Sequence, residues 1–205
     1  MVDDHPAGRY IVTSSHSRRV DDLSRLSTRE LATAALFSAV LSVAAFVAIP
    51  AGSVPFTLQV YVVLLAGMVL GPRLGVLSVI AYLILGLLAP VYAGGTSGLG
   101  VLLGPTGGYL FGFIGAAFVA GLIAKRSART TLMLLVAGLA GLMPIYALGA
   151  TWLAVQLHLT PGTAVLTGIA PFVWLDVLKA VAAALTARAL VSLPLGLPAA
   201  SRRGR

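Results

Sequence analysis

Two oppositely charged residues, Asp176 and Lys179, stand within the apolar stretch of the last predicted helix. Their spacing of three residues places both side chains on one face of an α-helix. A charge at membrane depth costs roughly 3 kcal/mol on insertion scales, so such residues normally face a protein interior or a wet cavity. The carboxylate can accept N–H bonds, and the ammonium can donate to a carbonyl or pair with a carboxylate. The pair is therefore a candidate binding site for a small polar ligand. The alternative is a buried ion pair that only stabilises helix packing.

The composition around this pair is that of an integral membrane protein. The 205 residues are 59% hydrophobic and only 10% charged, whereas roughly one-quarter of the residues in a soluble domain are charged. Three long runs contain no Asp, Glu, Lys or Arg, at residues 31–72, 74–124 and 130–175. Each run is long enough for two crossings, because one crossing needs about 20 apolar residues.

Helix-breaking residues divide these runs into six predicted transmembrane helices, at residues 31–49, 56–71, 74–90, 105–124, 131–157 and 169–193. The loops after the first, third and fifth helices contain no Lys or Arg. The other connections and both chain ends do, at Arg9, Arg18, Arg19, Arg25, Arg29, Arg73, Lys125, Arg126, Arg129, Arg202, Arg203 and Arg205. The positive-inside rule then predicts an all-α bundle with both termini in the cytoplasm. In this arrangement Asp176 lies about 10 Å from the outer end of the last helix.

Three regions follow from this reading of the chain. Residues 1–29 are expected to be a polar, partly disordered cytoplasmic tail, because they lack the apolar core of a signal peptide. Residues 30–193 are the predicted six-helix membrane domain that binds substrate, and residues 194–205 a basic cytoplasmic tail. Because the basic residues lie at chain ends and in short loops, they favour contact with anionic membrane lipid over nucleic acid.

Several enzyme classes and metal sites are excluded by residues that the sequence lacks. There is no cysteine, and His5 and His16 lie in the tail, which leaves only His158 near the membrane. Neither lysine precedes Ser or Thr in a phosphate-binding loop, and no Gly-x-Ser-x-Gly motif is present. A membrane aspartyl protease would need a second intramembrane Asp. The chain is therefore predicted not to be an enzyme, and any ATP hydrolysis must come from a partner.

Glycine and alanine patterns indicate two further features. The uncharged, Gly-rich segment 92–100 could fold over a small neutral solute with its backbone N–H and C=O groups, or could be a flexible connector. Small residues also recur every four positions, which lets helices approach closely in lipid. These stripes either pack within the bundle or, on the first helix, dock a separate membrane subunit; they are Ala35 and Ala39, then Gly67, Gly71 and Gly75, then Gly108, Gly112, Ala116 and Ala120.

Five motifs in order carry a resemblance to a known family. They are Val-Pro-Phe-Thr-Leu-Gln at 54–59, Leu-Gly-Pro-Arg-Leu-Gly at 70–75, Pro-Val-Tyr-Ala-Gly-Gly at 90–95, Gly-Pro-Thr-Gly-Gly-Tyr-Leu at 104–110, and Asp176 with Lys179. With these motifs, residues 30–193 resemble the BioY family, the biotin-binding S components of energy-coupling factor (ECF) transporters. Two positions depart from the family pattern. Trp174-Leu175 stands where members often have Pro-Gly, and Thr96 where some have Asn.

The resemblance implies a multi-pass plasma-membrane protein that captures biotin at the outer face as a transported ligand, with no cofactor. Transport would be driven by a transmembrane coupling subunit, contacted through Ala35 and Ala39, and by two cytoplasmic ATPase subunits. The implied ligand contacts are Gln59, Gly94, Gly95, Thr96, Gly107, Gly108, Tyr109, Asp176 and Lys179. An apolar slot flanked by Tyr92, Tyr109 and Trp174 would suit the bicyclic ring, unless these aromatics belong to the interfacial belt.

Three other functions remain open at this point. An S component for another vitamin would share the fold. A stand-alone proton-coupled carrier could use Asp176 as its proton site. A structural membrane scaffold would bind no ligand at all.

Overall fold

A computed structural model of the chain describes residues 26–50, 52 and 54–193. The predictions for residues 1–25 and 194–205 lie outside this range. The described residues form seven α-helices: α1 Thr28–Phe46, α2 Gln59–Leu88, α3 Leu99–Leu103, α4 Gly107–Arg126, α5 Thr131–Gln156, α6 Pro161–Gly168 and α7 Val173–Ser192. A short antiparallel pair, β1 Ala48–Ile49 with β2 Phe56–Thr57, joins α1 to α2. A 3-10 turn at Ala93–Gly95 precedes α3.

Local capping explains where several helices begin. Ser27 and Glu30 form a reciprocal capping box, so α1 starts three residues before its predicted boundary at residue 31. The side chains of Thr130 and Thr160 accept backbone hydrogen bonds at the starts of α5 and α6. Pro161 then occupies the first turn of α6, where a missing N–H costs nothing.

Helix α2 folds back on itself at Gly71, which has φ 82° and ψ 175°. Only glycine adopts this conformation readily. The Nε2 of Gln59 donates to the Tyr82 hydroxyl at 2.6 Å, although 23 residues would span about 34 Å along a straight helix. A Cβ on Gly75 would likewise lie 2.9 Å from the Gly67 Cα. Residues 59–70 and 72–88 are therefore two antiparallel arms, at the break predicted between the second and third helices.

Small residues allow α4 to pack in direct backbone contact with the arms of α2 and with α5. A Cβ on Gly67 would lie 2.5 Å from the Ala117 carbonyl oxygen, and one on Gly112 would lie 2.7 Å from the Ile145 Cα. The stripes on α2 and α4 therefore pack inside the bundle. On α1 the buried face is formed by Ala34, Ser38, Leu41, Ser42, Ala44 and Ala45. Ala35 and Ala39 are exposed on the other side of that helix.

Four helices, α1, α2, α4 and α5, are long and apolar enough to cross a membrane. Helices α6 and α7 are bent by 54° and together make up a fifth candidate span. The predicted single helix 169–193 is thus wrong at its start, because residues 169–172 form turns and α7 begins at Val173. The short helices α3 and α6 were not predicted, because both lie in the connections between predicted transmembrane helices.

The close contact at Gly112 gives a stability prediction. Gly112→Ala should lower the free energy of unfolding by about 1–3 kcal/mol, because the new methyl group meets the backbone of α5 rather than a movable side chain. The measurement is thermal unfolding in detergent. Gly100→Ala is the matched control, since a Cβ there meets nothing within 4 Å. Equal melting temperatures for the two variants would contradict this packing.

Candidate ligand-binding site

One cavity lies among α2, α4, α5, α7 and the β1–β2 connection. About 620 Å³ of empty space lies within it and at its open mouth, solvent included. Its walls are formed by Val54, Pro55, Phe56, Thr57, Gln59, Val60, Tyr92, Ala93, Val101, Thr106, Tyr109, Leu110, Phe113, Ile145, Tyr146, Gly168, Phe172, Asp176 and Lys179. The lining is mainly apolar and aromatic, with a few polar groups.

The charged pair predicted from the sequence forms part of this wall. Lys179 Nζ donates to Asp176 Oδ1 at 2.8 Å, and the side chains are only 11% and 6% exposed. The other carboxylate oxygen, Oδ2, accepts a hydrogen bond from the Tyr146 hydroxyl at 2.6 Å. Asp176 lies in the first turn of α7, where the helix dipole favours negative charge. The carboxylate is thus held by a residue of its own helix and by one from α5.

The Phe56 ring covers the ammonium group, and Phe172 stacks on that ring. Lys179 Nζ lies 3.6 Å from the centre of the Phe56 ring. The Phe56 ring stacks on Phe172 with a centroid distance of 6.2 Å and an interplanar angle of 14°. A cation on a desolvated aromatic face gains about 2 kcal/mol. Strand β2, which carries Phe56, is therefore tied to the charged pair on α7.

A second polar group lies on the α2 side of the cavity. Thr57 Oγ1 donates to Gln59 Oε1 at 2.9 Å, and Gln59 Nε2 donates to the Tyr82 hydroxyl. The Tyr92 ring packs edge-on against Tyr82, and its hydroxyl donates to the Leu83 carbonyl at 2.6 Å. Burial raises the pKa of the Tyr92 phenol, so this group stays a neutral donor.

All of these polar groups have hydrogen-bond partners within the protein. Within the part of the chain that the structure describes, no buried side-chain nitrogen or oxygen lacks a partner. Tyr109 follows the same rule, since its hydroxyl donates to the Gly168 carbonyl at 2.9 Å. A ligand must therefore use the spare lone pairs and protons of these groups, or replace bonds that they make to one another.

Five of the predicted site residues meet at this cavity. They are Gln59, Tyr92, Tyr109, Asp176 and Lys179. They come from four different parts of the fold. The fold-back of α2 and the packing of α7 on α2 and α5 bring these sequence-distant residues together.

The other predicted site residues do not line it. Gly94, Gly95 and Thr96 form a self-contained turn, in which Tyr92 N donates to the Thr96 carbonyl at 2.9 Å. Gly94 and Gly95 have φ of 67° and 76°, so the turn conformation accounts for both glycines. Their neighbour Ala93 lines the cavity instead.

Gly107, Gly108 and Trp174 also lie elsewhere. A Cβ on Gly107 would collide with the Leu102 carbonyl, and one on Gly108 with Trp152. Both glycines therefore serve backbone packing. The Trp174 side chain is 77% exposed, because two residues along a helix turn the side chain about 200° away from that of Asp176. Phe56 and Phe172 line the cavity, whereas Trp174 does not.

Tyr146, Phe56 and Phe172 are cavity residues that the sequence interpretation did not assign to the site. Phe172 precedes Asp176 by four residues, the spacing of neighbours on one helical face, which was a readable signal. Tyr146 stands in a charge-free run and gave no comparable signal. Among the described residues, no group of three or more His, Cys, Asp or Glu side chains could hold a metal ion.

Fold and cavity together define a class: a multi-helix membrane protein with a partly polar cavity among its apolar spans. Comparison with known proteins is more specific. The sequence model of the BioY family matches residues 16–194, and the chain belongs to that family. The biotin transporter BioY of Thermotoga maritima is 47% identical over 166 residues, covering 80% of this chain and 97% of that protein.

Two further relatives agree with this assignment. The probable biotin transporter BioY of Pyrococcus horikoshii is 43% identical over 167 residues, covering 80% of this chain and 98% of that protein. The crystal structure of the S-component for biotin from an ECF-type ABC transporter superposes with a TM-score of 0.72 at 29% identity, covering 86% of this chain and 93% of that one. These relatives are transport proteins, which confirms the prediction that the chain is not an enzyme.

The charged pair gives a second stability prediction. Asp176→Asn and Lys179→Met should each lower the free energy of unfolding by about 3 kcal/mol, because each leaves a buried group without its partner. The double variant should lose less than the sum, by at least about 1 kcal/mol. Thermal unfolding without ligand measures all three. Arg188→Met, on an exposed position of α7, is the control, and strictly additive losses would show that the pair is not coupled.

Proposed function

We propose that this chain is the substrate-binding S component of a biotin uptake system and captures biotin from outside the cell. The observation that carries the proposal is a cavity whose wall combines a buried carboxylate–ammonium pair with aromatic rings. Membership of the BioY family and the biotin transporters among its relatives support the same ligand.

The chemistry of biotin matches the cavity. A cyclic urea offers two N–H donors and a carbonyl, and the valerate tail ends in a carboxylate. Asp176 can accept N–H bonds, while Lys179 retains spare protons for a carbonyl or carboxylate. The aromatic rings of Phe56 and Tyr109 in the cavity wall suit the apolar bicyclic ring. Gln59 supplies an amide on the α2 side for the other end of the ligand.

The segment around Gly94, Gly95 and Thr96 is proposed to cover the mouth of this cavity. It follows directly after Tyr92 and Ala93, which line the wall. It also packs against α1, since a Cβ on Gly95 would lie 3.3 Å from the Phe46 ring.

Six membrane crossings with both termini in the cytoplasm are part of the proposal. The crossings are α1, the two arms of α2, α4, α5, and α6 with α7. The fold-back at Gly71 and the alternation of basic and uncharged loops support this count and orientation. The cavity then opens toward the outside, and the membrane is the plasma membrane, whose inner lipids would contact the basic loops.

An energising module completes the proposed transporter. The chain lacks a phosphate-binding loop, so ATP hydrolysis is assigned to two cytoplasmic ATPase subunits acting through a transmembrane coupling subunit. The exposed small residues Ala35 and Ala39 are proposed as the contact, because they leave space for close helix approach on the face of α1 turned away from the bundle.

Biotin binding to the purified protein tests the ligand. Wild type should bind tritiated biotin saturably, and Asp176→Asn or Lys179→Met should weaken binding about 10- to 100-fold, since a hydrogen bond to a charged group is worth about 1.5–3 kcal/mol. Arg188→Met should bind as wild type.

The other functions predict different results. Folded wild-type protein that binds no biotin would contradict the proposal. Saturable binding of a different vitamin would identify another S component. Uptake by the chain alone that stops when the proton gradient collapses would indicate a proton-coupled carrier.

Subunit docking is tested separately from ligand binding. Ala35→Leu and Ala39→Leu should abolish co-purification with the coupling subunit while leaving biotin affinity unchanged, because both side chains point away from the cavity wall. Ala147→Leu, at an exposed alanine of α5, is the matched control and should retain the complex. Intact co-purification of both α1 variants would refute the proposed contact.

A further inference from the structure

The Asp176 carboxylate has one partner on its own helix and one on a neighbouring helix. Lys179 follows Asp176 by three residues on α7 and reaches it through a flexible four-carbon stem. This bond moves with α7 and leaves the carboxylate free to turn together with the ammonium group. The Tyr146 hydroxyl instead comes from α5, 30 residues earlier in the chain, on a rigid aromatic ring.

The backbone that carries Tyr146 is held in place by α4. A Cβ on Gly112 would lie 2.7 Å from the Ile145 Cα, and one on Gly115 would lie 2.8 Å from the Pro144 Cβ. The two residues before Tyr146 are thus in direct contact with glycines of the neighbouring helix. Close packing of this kind leaves little room for α5 to shift. The glycines of α4 therefore fix where the Tyr146 hydroxyl lies relative to α7.

Two oxygens with two acceptor positions each leave the carboxylate with capacity for a ligand. Lys179 and Tyr146 each use one position, on different oxygens. These two bonds set the orientation of the carboxylate plane. That orientation determines where the remaining acceptor positions point. Tyr146 itself lies in the cavity wall and is buried, so its bond to Asp176 is shielded from water.

We infer that Tyr146 is a positioning residue that holds the Asp176 carboxylate in the orientation that receives the ligand's N–H donors. This inference rests on the proposed biotin function and adds to it a residue that acts through Asp176. Without the phenol hydroxyl, the carboxylate follows Lys179 and loses its fixed orientation, although the charge and the ion pair both remain.

A double-mutant cycle on biotin affinity tests this role. Tyr146→Phe should weaken biotin binding about tenfold, the loss of roughly one hydrogen bond to a charged group. In the Asp176→Asn background the same substitution should cause no further loss, because there is then no carboxylate to position. Tyr61→Phe is the matched control: it removes a hydroxyl that bridges α2 and α7 by donating to Thr186 at 3.1 Å, away from the cavity. It should leave biotin affinity unchanged.

An infrared measurement reads the same contact without any ligand. The carboxylate stretching band of Asp176, isolated as the difference between wild type and Asp176→Asn, should shift in Tyr146→Phe and stay in place in Tyr61→Phe. Equal biotin affinity of wild type and Tyr146→Phe would overturn the inference. A tenfold loss that persists unchanged in the Asp176→Asn background would also overturn it, because the tyrosine would then be acting on the fold in general.

The proposed biotin function and the proposed role of Tyr146 can be refuted independently of each other. If wild type binds no biotin but the infrared band shifts, the proposed function fails, and the positioning of Asp176 by Tyr146 stands for another ligand. If biotin binds and neither the affinity nor the band responds to Tyr146→Phe, the function stands and the positioning role is refuted.

Discussion

A buried ion pair in a membrane protein is the constraint around which this fold is arranged. Desolvating Asp176 and Lys179 costs several kcal/mol for each ion, and their mutual attraction offsets this only when further hydrogen bonds satisfy both groups. The Tyr146 hydroxyl provides one such bond and the Phe56 ring a favourable face for the ammonium. Apolar residues of similar size would stabilise the bundle as well or better, so a pair that lies in a cavity wall points to ligand binding rather than to packing.

Close backbone contacts bring these groups together. In lipid there is no hydrophobic drive between helices, so small residues that allow close approach determine which helices pack. Gly67 against Ala117 and Gly112 against Ile145 set the distances among α2, α4 and α5. Gly71 turns α2 back so that Gln59 and Tyr82 meet. The stripes of small residues therefore position the helices that form the candidate binding site.

Much of this was predictable from the sequence, for identifiable physical reasons. Charge-free runs, helix breakers and the isolated pair at Asp176 and Lys179 reflect strong energetic penalties, so they leave clear patterns. Helix boundaries that depend on local hydrogen bonds leave weaker sequence patterns. An example is the start of α7 at Val173, which follows a series of turns. The sequence also predicts ligand contacts at Gly94, Gly95, Gly107 and Gly108, where the structure shows a turn and close backbone packing that in themselves favour glycine. Tyr146 was missed because its role depends on a contact between helices that no local pattern encodes.

We propose that the Asp176–Lys179 pair is present in this membrane domain because it binds the transported ligand. An experimental structure of the protein with biotin bound tests it most directly. We expect ligand electron density inside the cavity, with a ureido or carboxylate heteroatom within hydrogen-bonding distance of both residues. Biotin bound elsewhere, with the carboxylate–ammonium contact unchanged and no ligand atom near it, would show that the pair does not bind the ligand.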